Sequence, residues 1–195
     1  MTAADDRPDA ILAAAACDGD HAAFAVIMRR HKTWLYRFIR RYVSDRDEAY
    51  DMLQESFVSA WTALSRYDPE RPLEAWLRRI ALNKCRDRAR RNAVRRSALQ
   101  LFGVTRFAAY ETAPPADAGP ASQRALHRLE QAIAQLPRQL KEPLILTALE
   151  GLSQKDAAAL LGINTKAVET RVYRAKKRLA ELLDPSDLSD LVQDG

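Results

Sequence analysis

Between Ser153 and Lys176 this sequence sets out Lys166, Glu169, Thr170, Tyr173 and Arg174 one to three residues apart. Spaced this way on a helix, ammonium, guanidinium, carboxylate and hydroxyl groups share a surface. Such groups bind phosphate oxygens or pair with the edges of bases. The chemistry is recognition, with no bond made or broken. A second group, Tyr67, Trp76 and Asn83, lies beside a strongly basic stretch. Aromatic and amide groups next to positive charge can stack on unpaired bases and read them. Trp76 also fits a buried stripe, so a core role stands beside the stacking one. Catalysis finds no support. His21, His31 and His127 are scattered, and no Ser/His/Asp or metal-ligand grouping can be drawn. Cys17 and Cys85 stand alone, without a CxxC spacing, so neither a zinc site nor a disulfide framework is expected. The reading is of a non-enzymatic protein without cofactor or metal.

The charges are distributed in zones. Over the 195 residues, 31 bases face 26 acids, a net charge of +5. From Arg71 to Arg96 there are ten bases against only Glu74 and Asp87. A second basic run, Arg171, Arg174, Lys176, Lys177 and Arg178, follows near the C-terminus. Between Asp45 and Glu70 the balance reverses, with seven acids against Arg46 and Arg66. Two basic zones and one acidic zone suggest a polyanionic partner and a second partner of another kind. Hydrophobic residues at 47% and charged residues at 29% are ordinary globular values and argue against disorder of the whole chain. No apolar run is long enough to span a membrane, and the acidic N-terminus does not resemble a signal peptide, so a cytoplasmic protein is expected.

The elements that must position these residues all read as helices. Apolar positions three and four apart predict a helix from Pro8 to Cys17 and another from about Asp20 to Tyr42, the latter burying Phe24, Ile27, Met28, Leu35, Phe38, Ile39 and Tyr42. Asp45, with Glu48 three residues on, can cap a third helix. That helix turns Leu53, Phe57, Ala60, Trp61 and Leu64 inward and Asp51, Gln54 and Glu55 outward. Ser65 to Pro72 is a proline-bounded loop, and a fourth helix buries Leu73, Trp76, Leu77, Ile80 and Ala81. These four make a domain over residues 1–96. Residues 97–121, with Gly103, Pro114, Pro115, Gly119 and Pro120, read as a linker. Residues 122–183 resume the helical period. One stripe is Leu126, Leu129, Ile133 and Leu136; the next helix carries Leu140, Leu144, Ile145 and Leu149, with Pro143 near its first turn. Ser153 caps a short helix, Gly162 turns the chain, and a second helix anchors itself with Val168 and Val172. This is the pattern of a helix-turn-helix. A helical hairpin with merely solvated charges is the plainer alternative, but spacing, turn and charge agree on the motif. Residues 184–195 hold four aspartates and no base, an acidic tail that either stays solvated or folds back on the preceding bases.

Two blocks of residues carry a resemblance. Asp51-Met52-Leu53-Gln54-Glu55-Ser56-Phe57, Trp61 and the run from Trp76 through Asn83 and Asp87 to Arg90 resemble the second conserved region of bacterial RNA polymerase sigma factors. Leu136-Pro137, Glu150 to Ala157, Leu161-Gly162 and Val168 to Ala175 resemble their fourth region. With no third helical domain between them, the chain resembles the two-domain, extracytoplasmic-function (ECF) group of the sigma-70 family. The resemblance implies an all-α fold of two small helical domains on a flexible linker. It also implies a subunit that binds core RNA polymerase, through the large clamp subunit and the flap, and directs it to promoter DNA. An anti-sigma factor is an implied further partner; membrane insertion is not. Asp51, Gln54 and Glu55 match the contact to the clamp's coiled coil, where an acidic, amide-bearing face suits an arginine-containing partner. Tyr67, Arg78, Asn83, Lys84, Asp87 and Arg90 match the surface that captures and separates the −10 region. Lys166, Glu169, Thr170, Arg171, Tyr173 and Arg174 match the helix that enters the −35 element. Three positions depart from the family's pattern. Tyr50 replaces a commonly small or acidic residue, the linker is less acidic than most, and Glu169 replaces a frequent base. The last change favours cytosine amino groups over guanine acceptors. A stand-alone helix-turn-helix regulator would explain the C-terminal half equally well, but not the acidic helix followed by the basic one. A small helical nuclease or ligase accessory would need a metal site, for which Asp51 and Glu55 are thin support.

Overall fold

The computed structural model of the chain describes residues 5–43, 45–101 and 121–183. Most of the expected linker and the whole acidic tail lie outside the described residues. Every regular element among the described residues is helical, and the chain divides into two compact units, Met1–Ala108 and Ala109–Gly195.

Four helices build the first unit: α1 (Asp9–Cys17), α2 (His21–Arg40), α3 (Arg46–Ala63) and α4 (Leu73–Leu101). Its centre is α2, which packs on the other three, while α3 also packs on α4. Ile27, Leu35, Phe38 and Ile39 of α2 are buried, as are Leu12 of α1, Leu53 and Phe57 of α3, and Leu77, Ala81 and Leu82 of α4. Each large side chain so buried contributes about 1.5–3 kcal/mol. A helix cap contributes about 1 kcal/mol. Packing therefore holds the unit together, and the caps set where its helices begin. Asp20 accepts from the Ala22 and Ala23 amides at 2.9 and 3.0 Å, and Asp45 accepts from Glu48 at 2.7 Å.

Three details differ from the sequence pattern. Met28 is 38% exposed, at the margin of the apolar stripe and not within it. Trp76 is half-buried, its ring 5.4 Å from that of Tyr67. Helix α4 continues past Arg96 to Leu101, because Ala98, Leu99, Gln100 and Leu101 are good helix formers and no breaker precedes Gly103. A polar network around one buried histidine also appears, which the scattered histidines did not suggest. His31, 3% exposed, holds Asp9 through Nε2 at 2.8 Å, while the Trp34 indole N–H donates to Nδ1 at 2.8 Å. Since an indole can only donate, Nδ1 is the acceptor and the ring proton on Nε2 points to Asp9. Arg30 pairs with the same carboxylate and donates to the Asp5 and Arg7 carbonyls at 2.9 and 3.1 Å. The N-terminal segment is thereby fastened to α2.

The second unit comprises α5 (Ala121–Gln135), α6 (Arg138–Leu144), α7 (Gln154–Leu161) and α8 (Thr165–Leu182), with α8 packed on each of the others. Leu136, Leu144 and Ala175 form one core cluster, joined by Leu140, Val172 and Leu179, and Ile145, Leu146 and Val168 are fully buried as well. Pro143 lies beyond the first turn of α6, deeper than its sequence context suggests. There the missing N–H breaks the α-helical ladder. A wider π-helical turn follows over Ile145–Leu149, closed by the Glu150 amide on the Ile145 carbonyl at 2.9 Å. The extra residue in that turn rotates the side chains after it. Leu146 becomes fully buried, and Leu149, expected on the inner stripe, is 41% exposed.

Candidate nucleic-acid interface

The turn between α7 and α8 decides how α8 is presented. Ser153 caps α7, its Oγ accepting from the Asp156 amide at 3.1 Å, and Asn164 caps α8 by accepting from Ala167 at 2.7 Å. Between them Gly162 takes φ +70°, a left-handed conformation that costs other residues roughly 1–2 kcal/mol. Ala157 and Ala158 allow close approach of α7, and Val168 is buried at the crossing. The remaining face of α8 is left outward. Lys166, Glu169, Thr170, Tyr173 and Arg174 are exposed, Tyr173 to 70%, and Arg171 is half-buried. Lys166 and Glu169 pair at 2.9 Å, and the Thr170 hydroxyl donates to the Lys166 carbonyl at 2.9 Å. A pair this exposed contributes at most about 1 kcal/mol, so either partner can turn to another ligand.

In the first unit the expected residues separate into two surfaces. Asp51, Gln54 and Glu55 all stand exposed on α3, since positions three and four apart share a face. Val58, one turn on, is 66% exposed and adds an apolar centre that the sequence reading missed. Tyr50 is exposed beside them, with Lys32 over its ring at 5.5 Å. The flank of this face is tied to α4: Lys84 stands 3.9 Å from Glu55, and Arg88 pairs with Glu48.

On α4, Asn83, Asp87 and Arg90 are exposed, with Arg90 3.7 Å from Asp87, and Lys84 is half-buried. Arg78 is half-buried. Its guanidinium lies over the Trp34 ring at 5.1 Å and the Phe38 ring at 5.9 Å, against α2. Tyr67 is half-buried, and its hydroxyl donates to the Arg71 carbonyl at 2.6 Å. Burial pushes the phenol's pKa up, and the charges of Asp9 and Asp68 push it the same way, so the group remains a donor at neutral pH. Asp68 holds the loop from within, accepting from the Glu70 amide at 3.1 Å and from Arg71 Nε at 3.1 Å. Among the described residues no group of three His, Cys, Asp or Glu could hold a metal ion. No helix among them is long and apolar enough to cross a membrane.

Comparison with known proteins bears on both surfaces. The Sigma-70 region 2 family model matches residues 27–95, and the Sigma-70, region 4 model matches residues 126–179. The RNA polymerase sigma factor CnrH of Cupriavidus metallidurans is 40% identical over 183 residues, 90% of this chain and 94% of its own. The chain belongs to the sigma-70 family. Another relative, the ECF RNA polymerase sigma factor SigM of Mycobacterium tuberculosis, is 31% identical over 183 residues, 91% of this chain and 86% of its own. Among solved structures, CnrH in complex with the cytosolic domain of CnrY is similar at a TM-score of 0.65 and 36% identity, covering 90% of this chain and 97% of that one. The sigma factor RpoE in complex with the anti-sigma factor NepR, from Bartonella quintana, is similar at a TM-score of 0.65 and 28% identity, covering 82% and 95%. This chain is thus an ECF sigma factor, a subunit that directs RNA polymerase to promoters. Its family is generally non-enzymatic. The two family-model matches contain every expected site residue and leave out α1 and residues 184–195.

Proposed function

We propose that three exposed surfaces divide the work of this sigma factor. The α3 face of Asp51, Gln54, Glu55 and Val58 binds the coiled coil of the large clamp subunit of core RNA polymerase. Tyr67 and its loop, with Asn83, Lys84, Asp87 and Arg90, take the −10 region and hold its separated strand. Arg78, drawn against Trp34 and Phe38, seats α4 on α2 beneath that surface. Lys166, Glu169, Thr170, Arg171, Tyr173 and Arg174 read the −35 element in the major groove, and the second unit also meets the polymerase flap. An anti-sigma factor in the cytoplasm is a further partner, as the complexes of the two structural relatives suggest. Polymerisation chemistry belongs to the polymerase, and the chain itself needs no cofactor.

One observation carries this reading. In a single small unit, an acidic helix face with an apolar centre and a basic helix are both open to solvent. A plain DNA-binding protein has no use for the first, because an acidic surface repels phosphate. Run-off transcription with core polymerase on a library of genomic fragments tests it. The chain should yield transcripts of defined length that core alone does not, and the fragments should share paired −35 and −10 elements. Transcripts identical with and without the chain would refute the assignment.

A further inference from the structure

Residues 184–195 continue directly from the end of α8 and carry Asp184, Asp187, Asp190 and Asp194, no base, and Leu188, Leu191 and Val192. Beside that end of α8 lies an open groove of about 260 Å³, lined by Pro137 and Leu140 at α6 and by Arg174, Lys177, Arg178 and Glu181 of α8. One wall is apolar and the other is basic. Its single acid, Glu181, is taken by Arg178 at 2.8 Å. Among the described residues neither Arg174 nor Lys177 has an ion-pair partner. The groove therefore offers positive charge beside an apolar strip, and the segment that follows offers aspartates with aliphatic residues between them.

We propose that residues 184–195 seat in this groove, aspartates toward Arg174 and Lys177 and aliphatic side chains toward Pro137 and Leu140. The reach is ample. Arg174 and Lys177 lie roughly 9–14 Å back along the helix from Leu183, and twelve extended residues span about 40 Å. Exposed ion pairs are individually weak, but a tethered segment acts at an effective concentration on the order of millimolar. Seating is thus favoured at low salt and lost as the screening length shrinks from about 10 Å at 0.1 M to about 3 Å at 1 M. Arg174 also belongs to the proposed −35 surface, so the seated segment competes with DNA; that consequence alone rests on the −35 assignment.

A fluorescein-labelled peptide of residues 184–195 provides the test, titrated at low salt against the full chain and a chain ending at Leu183. The shortened chain should bind it, and the full chain about ten-fold more weakly, because its own segment already fills the groove. Lys177→Glu in the shortened chain should abolish binding with an unchanged circular dichroism spectrum. A peptide with Asp187→Asn and Asp190→Asn, which cannot disturb the fold, should bind several-fold more weakly, as should a scrambled peptide of the same composition. Equal affinities of the full and shortened chains would overturn the proposal. So would binding indifferent to Lys177→Glu, or a scrambled peptide that binds equally well. A −35 duplex should displace the peptide from the shortened chain. If the peptide seats as expected and the duplex fails to displace it, the seating stands and the −35 role of Arg174 falls.

Discussion

Glu55 stands on the exposed face of α3 while its carboxylate lies 3.9 Å from Lys84 of α4. Reversing it would therefore disturb two surfaces at once. Asp51, exposed on the same face, is the cleaner probe. Asp51→Arg should weaken binding to core polymerase by about 2 kcal/mol, roughly thirty-fold in Kd, with the helical circular dichroism intact. Unchanged affinity in an equilibrium binding assay would remove Asp51 from the interface. On α8, Glu169 is held only by the exposed pair with Lys166, so it can leave that partner for a base at little cost. Glu169→Ala should change the preferred base at one −35 position. Arg174→Ala should lower affinity nearly uniformly across sequences and flatten the salt dependence by about one unit of slope. A −35 preference identical in Glu169→Ala and the parent would show that this carboxylate reads no base. The exposure of Asp51, Gln54, Glu55 and Tyr173 was legible in the sequence, since helical spacing alone turns them outward. The placement of Arg78 was not. Whether an arginine on α4 meets solvent or an aromatic ring depends on Trp34 and Phe38, which only the folded chain brings near.

Two turns in the second unit show where helical periodicity serves and where it fails. Gly162 was legible, because a glycine after a capped short helix marks a left-handed turn, and its φ is +70°. A Cβ there would meet nothing within 4 Å, so Gly162→Ala carries a backbone cost only, about 1 kcal/mol. Denaturant unfolding should show that loss without a change in the slope of the transition. The turn after Pro143 was not legible, because a 3.6-residue period cannot anticipate a π-helical turn. The pattern puts Leu149 inside and passes over Leu146, whereas the structure buries Leu146 fully and leaves Leu149 41% exposed. Leu146→Ala should therefore cost about 2–5 kcal/mol. Leu149→Ala should fall within about 0.5 kcal/mol of the parent. The opposite ranking would mean that the helix keeps its α register through this stretch.

Taken whole, the molecule has two helical units with unlike surfaces. The all-α class and the order of the two motif blocks were readable because periodicity and local spacing suffice for them. The fastening of α1 to α2 through Asp9, His31, Trp34 and Arg30 was not readable. Polar residues so far apart in sequence give no sign that they meet, and α1 precedes the stretch that the Sigma-70 region 2 model matches. The central claim is that recruiting polymerase and opening DNA belong to separate surfaces of this chain. Permanganate reactivity of −10 thymines, on a promoter found by run-off transcription, tests it most directly. Core polymerase with the chain should make those thymines reactive, and core alone should not. A chain with Asn83→Ala and Arg90→Ala, both exposed and away from Glu55, should still bind core while opening the promoter several-fold less, and Asp51→Arg should lose opening only in proportion to its loss of core binding. Full opening by the Asn83→Ala, Arg90→Ala chain, or equal opening by core alone, would contradict the account.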